Sequence, residues 1–204
     1  MESLQYEGVE LFKGKPPFYL RGGSTDRYYI EEYFLGNWIS LPLKLKPELI
    51  FDIGAGTGLS TVLIREHYRG ATIYSFEPDK NCFELLKLNT ERYQNIHLFN
   101  TSVNSKKDDS TLKLSDVLNR TKSPDLIVID VEGNEYDILC GLKHIEKVKY
   151  ITGKLYGNRT FAILDYLSKW FYIEYSTFFR SKVTKFSAVS KPLLDQWYSA
   201  NNLD

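Results

Sequence analysis

The chain has 204 residues and carries 26 Lys+Arg against 26 Asp+Glu, for a formal net charge of zero. That length suits one domain with a full core, and a composition of 43% hydrophobic and 15% aromatic residues excludes disorder as the main state. The charge balance excludes a broadly cationic nucleic-acid binder, no apolar run approaches the ~20 residues of a membrane span, and two cysteines, Cys82 and Cys140, are too few for a disulfide scaffold or a Cys-based zinc site.

Residues 1–20 lack clear periodicity and are interrupted by Gly14, Pro16 and Pro17. Arg21 to Asp26 reads as a turn ending in a helix cap. Tyr29, Ile30, Tyr33, Phe34 and Trp38 then follow helical spacing, so a helix is expected over about 26–38. A connection follows to Pro47. Beyond it, short apolar runs alternate with helical patterns. Strands are expected at Leu49–Ile53, Thr72–Phe76, Ile96–Phe99, Leu126–Ile129 and Val148–Thr152. Helices are expected from Leu59 to about Tyr68, Asp79 to Leu88, Ser115 to Asn119, Glu132 to Leu142 and Phe161 to Trp170. Two last strands, Phe171–Ser176 and Val183–Val189, are too close for a helical crossover and must run antiparallel to each other. The alternation predicts an α/β fold with a mostly parallel sheet and helices on both faces. One domain is expected: residues 1–47 as an N-terminal extension or lid, 48–190 as the Rossmann-like core, and 191–204 as a tail.

The strongest chemical signal is Asp52-Ile53-Gly54-Ala55-Gly56-Thr57-Gly58, between a strand and a helix. Glycines allow a tight turn and close ligand approach, and a helix N-terminus offers free N–H groups. The spacing is G-x-G-x-G, without the third glycine of a dinucleotide fingerprint and without the lysine of a P-loop. Asp52 would repel a pyrophosphate and suits a cationic amine. Glu77, at the tip of the next strand and followed by Pro78, can accept both hydroxyls of a ribose. Together these describe a nucleoside with an amino-acid-like end, and the segment resembles a class I S-adenosylmethionine-dependent methyltransferase.

Three further stretches narrow the resemblance. They are Arg21-Gly22-Gly23-Ser24-Thr25-Asp26, the run from Phe76-Glu77-Pro78-Asp79 to Leu88-Asn89, and Pro124 to Leu142 with its Asp130-Val131-Glu132-Gly133. Over about residues 18–176 the chain is similar to FkbM-type methyltransferases. The resemblance implies a seven-stranded sheet of order 3-2-1-4-5-7-6 with strand 7 antiparallel, S-adenosylmethionine as cofactor with S-adenosylhomocysteine as product, and O-methylation of a saccharide, glycolipid or natural-product hydroxyl. Val128, Lys154 and Tyr156 depart from the family pattern, where Lys, an acidic residue and His are usual.

Asp130, at the carboxyl end of the fourth core strand, is the first candidate for base or substrate contact, with a structural acceptor role as the alternative. Glu132 is the second, with helix capping as its alternative. The expected cofactor-binding set is Asp52, Gly54, Ala55, Gly56, Gly58, Glu77, Pro78, Ser102, Val103 and Asp130. Ser24, Thr25 and Asp26 are expected either to close over the cofactor or to cap a helix. His67, His97 and His144 are not at metal spacing, so no metal is expected. The expected partner is a small-molecule or glycan hydroxyl acceptor and not nucleic acid, although residues 143–204 carry an excess of five positive charges. The alternative functions are a catalytically altered cofactor-binding module on the same fold and, after it, a nucleic-acid methyltransferase. With no signal peptide in Met1–Tyr6, the expected location is cytoplasmic.

Overall fold

The apolar runs do become strands, and in the central ones, Leu49–Ile53, Leu126–Ile129 and Tyr150–Tyr156, nearly every residue is buried. The computed structural model describes residues 6–36, 39–104, 111–113, 121–178 and 182–201. Its strands are β1 (Tyr6–Val9), β2 (Phe18–Arg21), β3 (Leu49–Ile53), β4 (Thr72–Phe76), β5 (Ile96–Phe99), β6 (Ser102–Asn104), β7 (Thr111–Lys113), β8 (Leu126–Ile129), β9 (Tyr150–Tyr156), β10 (Phe171–Phe178) and β11 (Val183–Ser190). The helices are α1 (Asp26–Gly36), α2 (Leu59–His67), α3 (Lys80–Thr90), α4 (Glu135–Gly141), α5 (Thr160–Ser168) and α6 (Lys191–Asn201). The expected helix at Ser115–Asn119 lies outside the described residues.

Seven strands form one sheet in the order β10-β11-β9-β8-β3-β4-β5. The pairs β4–β5, β3–β4, β3–β8 and β8–β9 are parallel, and β11 is antiparallel to both β9 and β10. In core-strand numbering this is 3-2-1-4-5-7-6, as expected, with the last strand antiparallel. The central strands show why a continuous apolar run was needed. Phe51, Ile53, Ile127 and Ile129 face α4 and α5 through Ile138, Leu139, Ile163 and Leu167. Ile50, Ile73, Leu126 and Val128 face Ile64 and Tyr68 on the opposite side. Each such buried side chain contributes roughly 1.5–3 kcal/mol. Asp125 ties the strand starts together: its carboxylate accepts from the Glu48 and Leu49 N–H groups and pairs with Lys149.

Four elements differ from expectation. Residues 6–21 form a β1–β2 hairpin, whose Phe18 and Leu20 pack on Leu59, Val62 and Leu63 of α2. Helix α4 begins at Glu135 and not at Glu132, because Glu132 (φ 36°) and Gly133 (φ 115°) are both left-handed. Strand β9 runs on to Tyr156 through Gly153 and Lys154, since Lys154 is buried with carboxylate partners. The segment expected as a tail is helical: Pro192 sits in the first turn, where its missing N–H costs nothing, and Leu193 and Trp197, one turn apart, pack against the second core cluster.

Candidate active site

A cleft of about 460 Å³ opens at the carboxyl ends of β3, β4 and β8, where ligands bind in open α/β sheets. Its apolar walls include Phe18, Leu20, Ile30, Ile53, Phe76 and Val103, and its polar groups include Arg21, Asp26, Glu77, Ser102, Asp130 and Glu132. Volumes of this order suit a small organic ligand.

The floor is the glycine loop. Gly54 has φ 83°, and a Cβ there would lie 2.0 Å from the Asp130 carbonyl oxygen, so only glycine lets β3 turn against the end of β8. The Gly54 and Ala55 N–H groups donate to the Phe76 carbonyl, and the Gly56 N–H donates to Glu77 Oε2 at 2.8 Å. These donors, expected to face a ligand, are turned toward β4 and lock the loop onto its tip. Gly54, Ala55 and Gly56 still line the cleft. Gly58 does not: it is a packing position, where a Cβ would lie 2.9 Å from Leu86 Cδ1.

Glu77 lines the cleft with Pro78 beside it. Its Oε1 accepts from the Asp79 N–H at 2.8 Å, while Oε2 takes that of Gly56. Each oxygen therefore keeps one of its two lone-pair sites beyond the backbone bond. Burial raises its pKa, and the two backbone bonds offset part of that.

Asp52 is placed elsewhere. It is fully buried behind the loop, where Oδ2 accepts from the Ser60 and Thr61 hydroxyls at 2.8 and 2.5 Å, and it is not among the lining residues. Its carboxylate anchors α2 to β3 and does not meet a ligand amine. Burial pushes its pKa up to about 6, against the pull of the two hydroxyls.

Asp130 lines the cleft. Its Oδ1 accepts from the Tyr156 hydroxyl at 2.7 Å, and Oδ2 lies 3.4 Å from Lys154 Nζ. Burial raises its pKa, with Lys154 and Tyr156 pulling the other way. Glu132 also lines the cleft, exposed and in a strained left-handed conformation. Such strain in a non-glycine residue costs of order 1–3 kcal/mol and clusters at functional sites. The carboxylate at the start of α4 is that of Glu135, which accepts from the Gly133 N–H at 2.8 Å, so the capping role that was the alternative for Glu132 falls to Glu135.

Ser102 and Val103 line the cleft, joined by Thr101. Of the three lid candidates only Asp26 does. Ser24 and Thr25 build the turn: the Ser24 hydroxyl accepts from the Asp26 N–H at 3.1 Å, and the Thr25 carbonyl accepts the Tyr29 N–H. Asp26 grips Arg21 with both oxygens, at 3.0 Å from Nε and 2.6 Å from Nη2. Burial opposes its ionisation, but the Arg21 hydrogen bonds and charge outweigh burial and hold it below its usual range. The sequence reading missed Phe18, Leu20, Arg21, Ile30 and Cys82, while Tyr29 lies in the aromatic segment 28–38 that it weighed between a sugar pocket and core or lid packing. The alternation of Phe18 and Leu20 was a signal, though four residues long and next to two prolines.

These residues fit S-adenosylmethionine. The cleft combines a ledge made by Gly54, a two-oxygen acceptor in Glu77, apolar walls for an adenine, and four carboxylates against one guanidinium for a cationic ligand. Among the described residues no group of three or more His, Cys, Asp or Glu is placed to hold a metal ion.

Comparison with known proteins agrees with the architecture. Residues 91–189 match the family model of the methyltransferase FkbM domain. Among solved structures, the fold is similar to precorrin-6y C5,15-methyltransferase from Geobacter metallireducens GS-15 (TM-score 0.53, 15% identity, 73% of this chain and 84% of that one). It is also similar to ribosomal protein L11 methylase from Lactobacillus delbrueckii subsp. bulgaricus (TM-score 0.53, 18% identity, 72% of each chain). A chain of a fibrillarin/Nop5p complex aligns over 93% of this chain and 91% of its own, with TM-score 0.58 and 16% identity. At these identities the likeness establishes the fold alone. No curated protein matches the sequence significantly. The match to a methyltransferase domain, carried on this strand order and cleft, makes the chain an S-adenosylmethionine-dependent methyltransferase, similar over residues 91–189 to the FkbM type.

Proposed function

We propose that the protein methylates a hydroxyl of an uncharged, polyhydroxylated acceptor: a saccharide, a glycolipid or a related natural product. The observation that carries this reading is the charge of the cleft. Asp26, Glu77, Asp130 and Glu132 line it against Arg21, and Arg21 is already engaged by Asp26. A polyanionic acceptor would be repelled there, whereas carboxylates beside the aromatic ring of Tyr29 suit sugar hydroxyls.

When bound, S-adenosylmethionine supplies an electrophilic methyl group on a positively charged sulfur, and the bonding pair returns to sulfur as the acceptor oxygen takes the methyl. In this reading Glu77 accepts hydrogen bonds from the ribose hydroxyls. Ser102 and Val103 flank the adenine, and the carboxylate-rich wall favours the cationic cofactor over its neutral product. Asp130 takes the acceptor's hydroxyl proton at a carboxylate oxygen, and Glu132 orients neighbouring hydroxyls. Positioning of this kind together with proton removal accounts for the rate. Two free cysteines are in keeping with a cytoplasmic place of action, which cell fractionation checks.

The test is transfer of labelled methyl to a panel of sugars, glycolipids and polyketide-type alcohols, with an RNA control. Asp130→Asn is expected to lower kcat by roughly 10²–10⁴-fold while calorimetric affinity for S-adenosylhomocysteine stays within about threefold. Transfer to RNA, or full turnover in Asp130→Asn, would overturn the reading. Tight cofactor binding with no transfer to any acceptor would favour the altered binding module.

A further inference from the structure

Strand β9 carries a second layer behind Asp130. Gly153 is the register partner of Ile129, and a Cβ there would lie 1.9 Å from the Ile129 carbonyl oxygen. Glycine therefore lets β9 press against β8, which brings the next same-face residues, Lys154 and Tyr156, onto the Asp130 carboxylate. The Tyr156 hydroxyl donates to Oδ1 at 2.7 Å and the Lys154 ammonium stands 3.4 Å from Oδ2. Lys154 is 3% exposed, and its ammonium also donates to Glu32 Oε2 of α1 at 3.0 Å. The other Glu32 oxygen lies 3.3 Å from Lys185, the register partner of Lys154 on β11. Like charges directly opposed across strands repel, so Glu32 and Asp130 are what make the lysine pair tolerable. Neither Lys154 nor Tyr156 lines the cleft; Asp130 does.

We propose that Lys154 and Tyr156 are positioning residues for methyl transfer: they hold the Asp130 carboxylate ionised and fixed in orientation at the cleft, and Glu32 of α1 sets how much of the Lys154 charge reaches it. The inference rests on Asp130 being the proton acceptor. A carboxylate has about four lone-pair sites, so two held from behind leave others for the acceptor hydroxyl. The surroundings make the clamp necessary. From β9, Lys154 and Tyr156 favour the ionised form. From α1 come Glu32 and the Tyr29 ring, from the turn Glu132, from α4 Glu135, and from β3 Asp52. The carboxylates and burial all oppose ionisation. Lys154 remains charged because Asp130 and Glu32 outweigh its own burial.

The experiment is a carboxyl ¹³C NMR titration of the full chain labelled at aspartate, with and without S-adenosylhomocysteine. The Asp130 resonance is identified by its loss in Asp130→Asn. Lys154→Met is expected to raise the Asp130 midpoint by about one pH unit or more, a roughly tenfold change in proton affinity. Tyr156→Phe raises it by less. Glu32→Gln lowers it, because it removes a like charge and leaves more of the Lys154 charge to Asp130. That opposite sign is one that general loosening of the fold does not produce, and Glu32→Gln carries the test if Lys154→Met fails to fold. Midpoints of Lys154→Met and Glu32→Gln both within about 0.3 of the parent would overturn the clamp, whatever Asp130→Asn does to turnover. Full turnover in Asp130→Asn would overturn the base reading, and the clamp's catalytic meaning with it, even with shifted midpoints.

Discussion

Asp52 shows how one buried carboxylate couples the fold to pH. Its pKa rises from an ordinary 3.8 to about 6 in the folded chain. A folded-state value above the unfolded one means the native state binds more protons between them. Stability from this group is then full below about pH 4 and falls as pH rises through about 6. The ionised form costs on the order of 3 kcal/mol at neutral pH. Asp52→Asn keeps an acceptor for Ser60 and Thr61 without the charge. Its thermal midpoint should match the parent below pH 4 and exceed it by several degrees above pH 6, read by scanning fluorimetry across pH. Equal shifts at both ends would refute this. The glycine loop separates two kinds of constraint in the same way. Gly54→Ala drives a methyl to 2.0 Å from backbone, whereas Gly56, with nothing within 4 Å, would meet only the strain of φ 55°. Gly54→Ala should give no folded protein on urea titration, and Gly56→Ala should lose about 1 kcal/mol. These residues were legible in the sequence as a loop between strand and helix. Whether Asp52 faced the ligand or α2 was not, because side-chain direction at a strand end depends on what packs beside it.

At the scale of elements, the cleft depends on how the N-terminal hairpin is stapled to the core. Asn89 of α3 is fully buried. Its Oδ1 accepts the Tyr19 N–H at 2.7 Å, and its Nδ2 donates to the Tyr19 and Thr57 carbonyls, both at 2.9 Å. One amide thus joins β2, α3 and the loop. Asn89→Ala should cost about 3 kcal/mol, at ~1 kcal/mol per hydrogen bond, and should weaken S-adenosylhomocysteine binding. Hydrogen exchange at Tyr19 should quicken while that of β8 stays slow at equal stability. Unchanged protection at Tyr19 would contradict the staple. The β1–β2 strands were invisible to periodicity because their burial is created by Leu59, Val62 and Leu63 of α2 and not by a sustained pattern of their own. The core strands were visible because two covered faces demand unbroken apolar runs.

Across the whole molecule, the positive excess in residues 143–204 is largely spent inside the chain. Lys149 pairs with Asp125, Lys154 with Glu32 and Asp130, Lys185 with Glu32, and Arg159 with Asp137. The two charge-asymmetric parts of the sequence complement each other, and among the described residues Arg21 is the one Lys or Arg lining the cleft. RNA and DNA retention on filters should therefore be weak at about 0.15 M salt, with Kd above roughly 10⁻⁴ M. Tight binding that falls steeply with added salt would refute this.

While the strand order followed only from the family resemblance, the sequence by itself determined where the core strands lie, the glycine loop, Glu77 and the presence of Asp130 at a strand tip. Each of these is a local pattern: an apolar run, a turn that needs glycine, a carboxylate one residue past a strand. Only the tertiary structure decided that Asp52 turns away from the cleft, that Glu135 and not Glu132 serves the helix terminus, and that Lys154, Tyr156 and Glu32 converge on Asp130. Those contacts join residues up to 122 positions apart. Their energy comes from burying charges together, and no periodicity along the chain records which charges will meet.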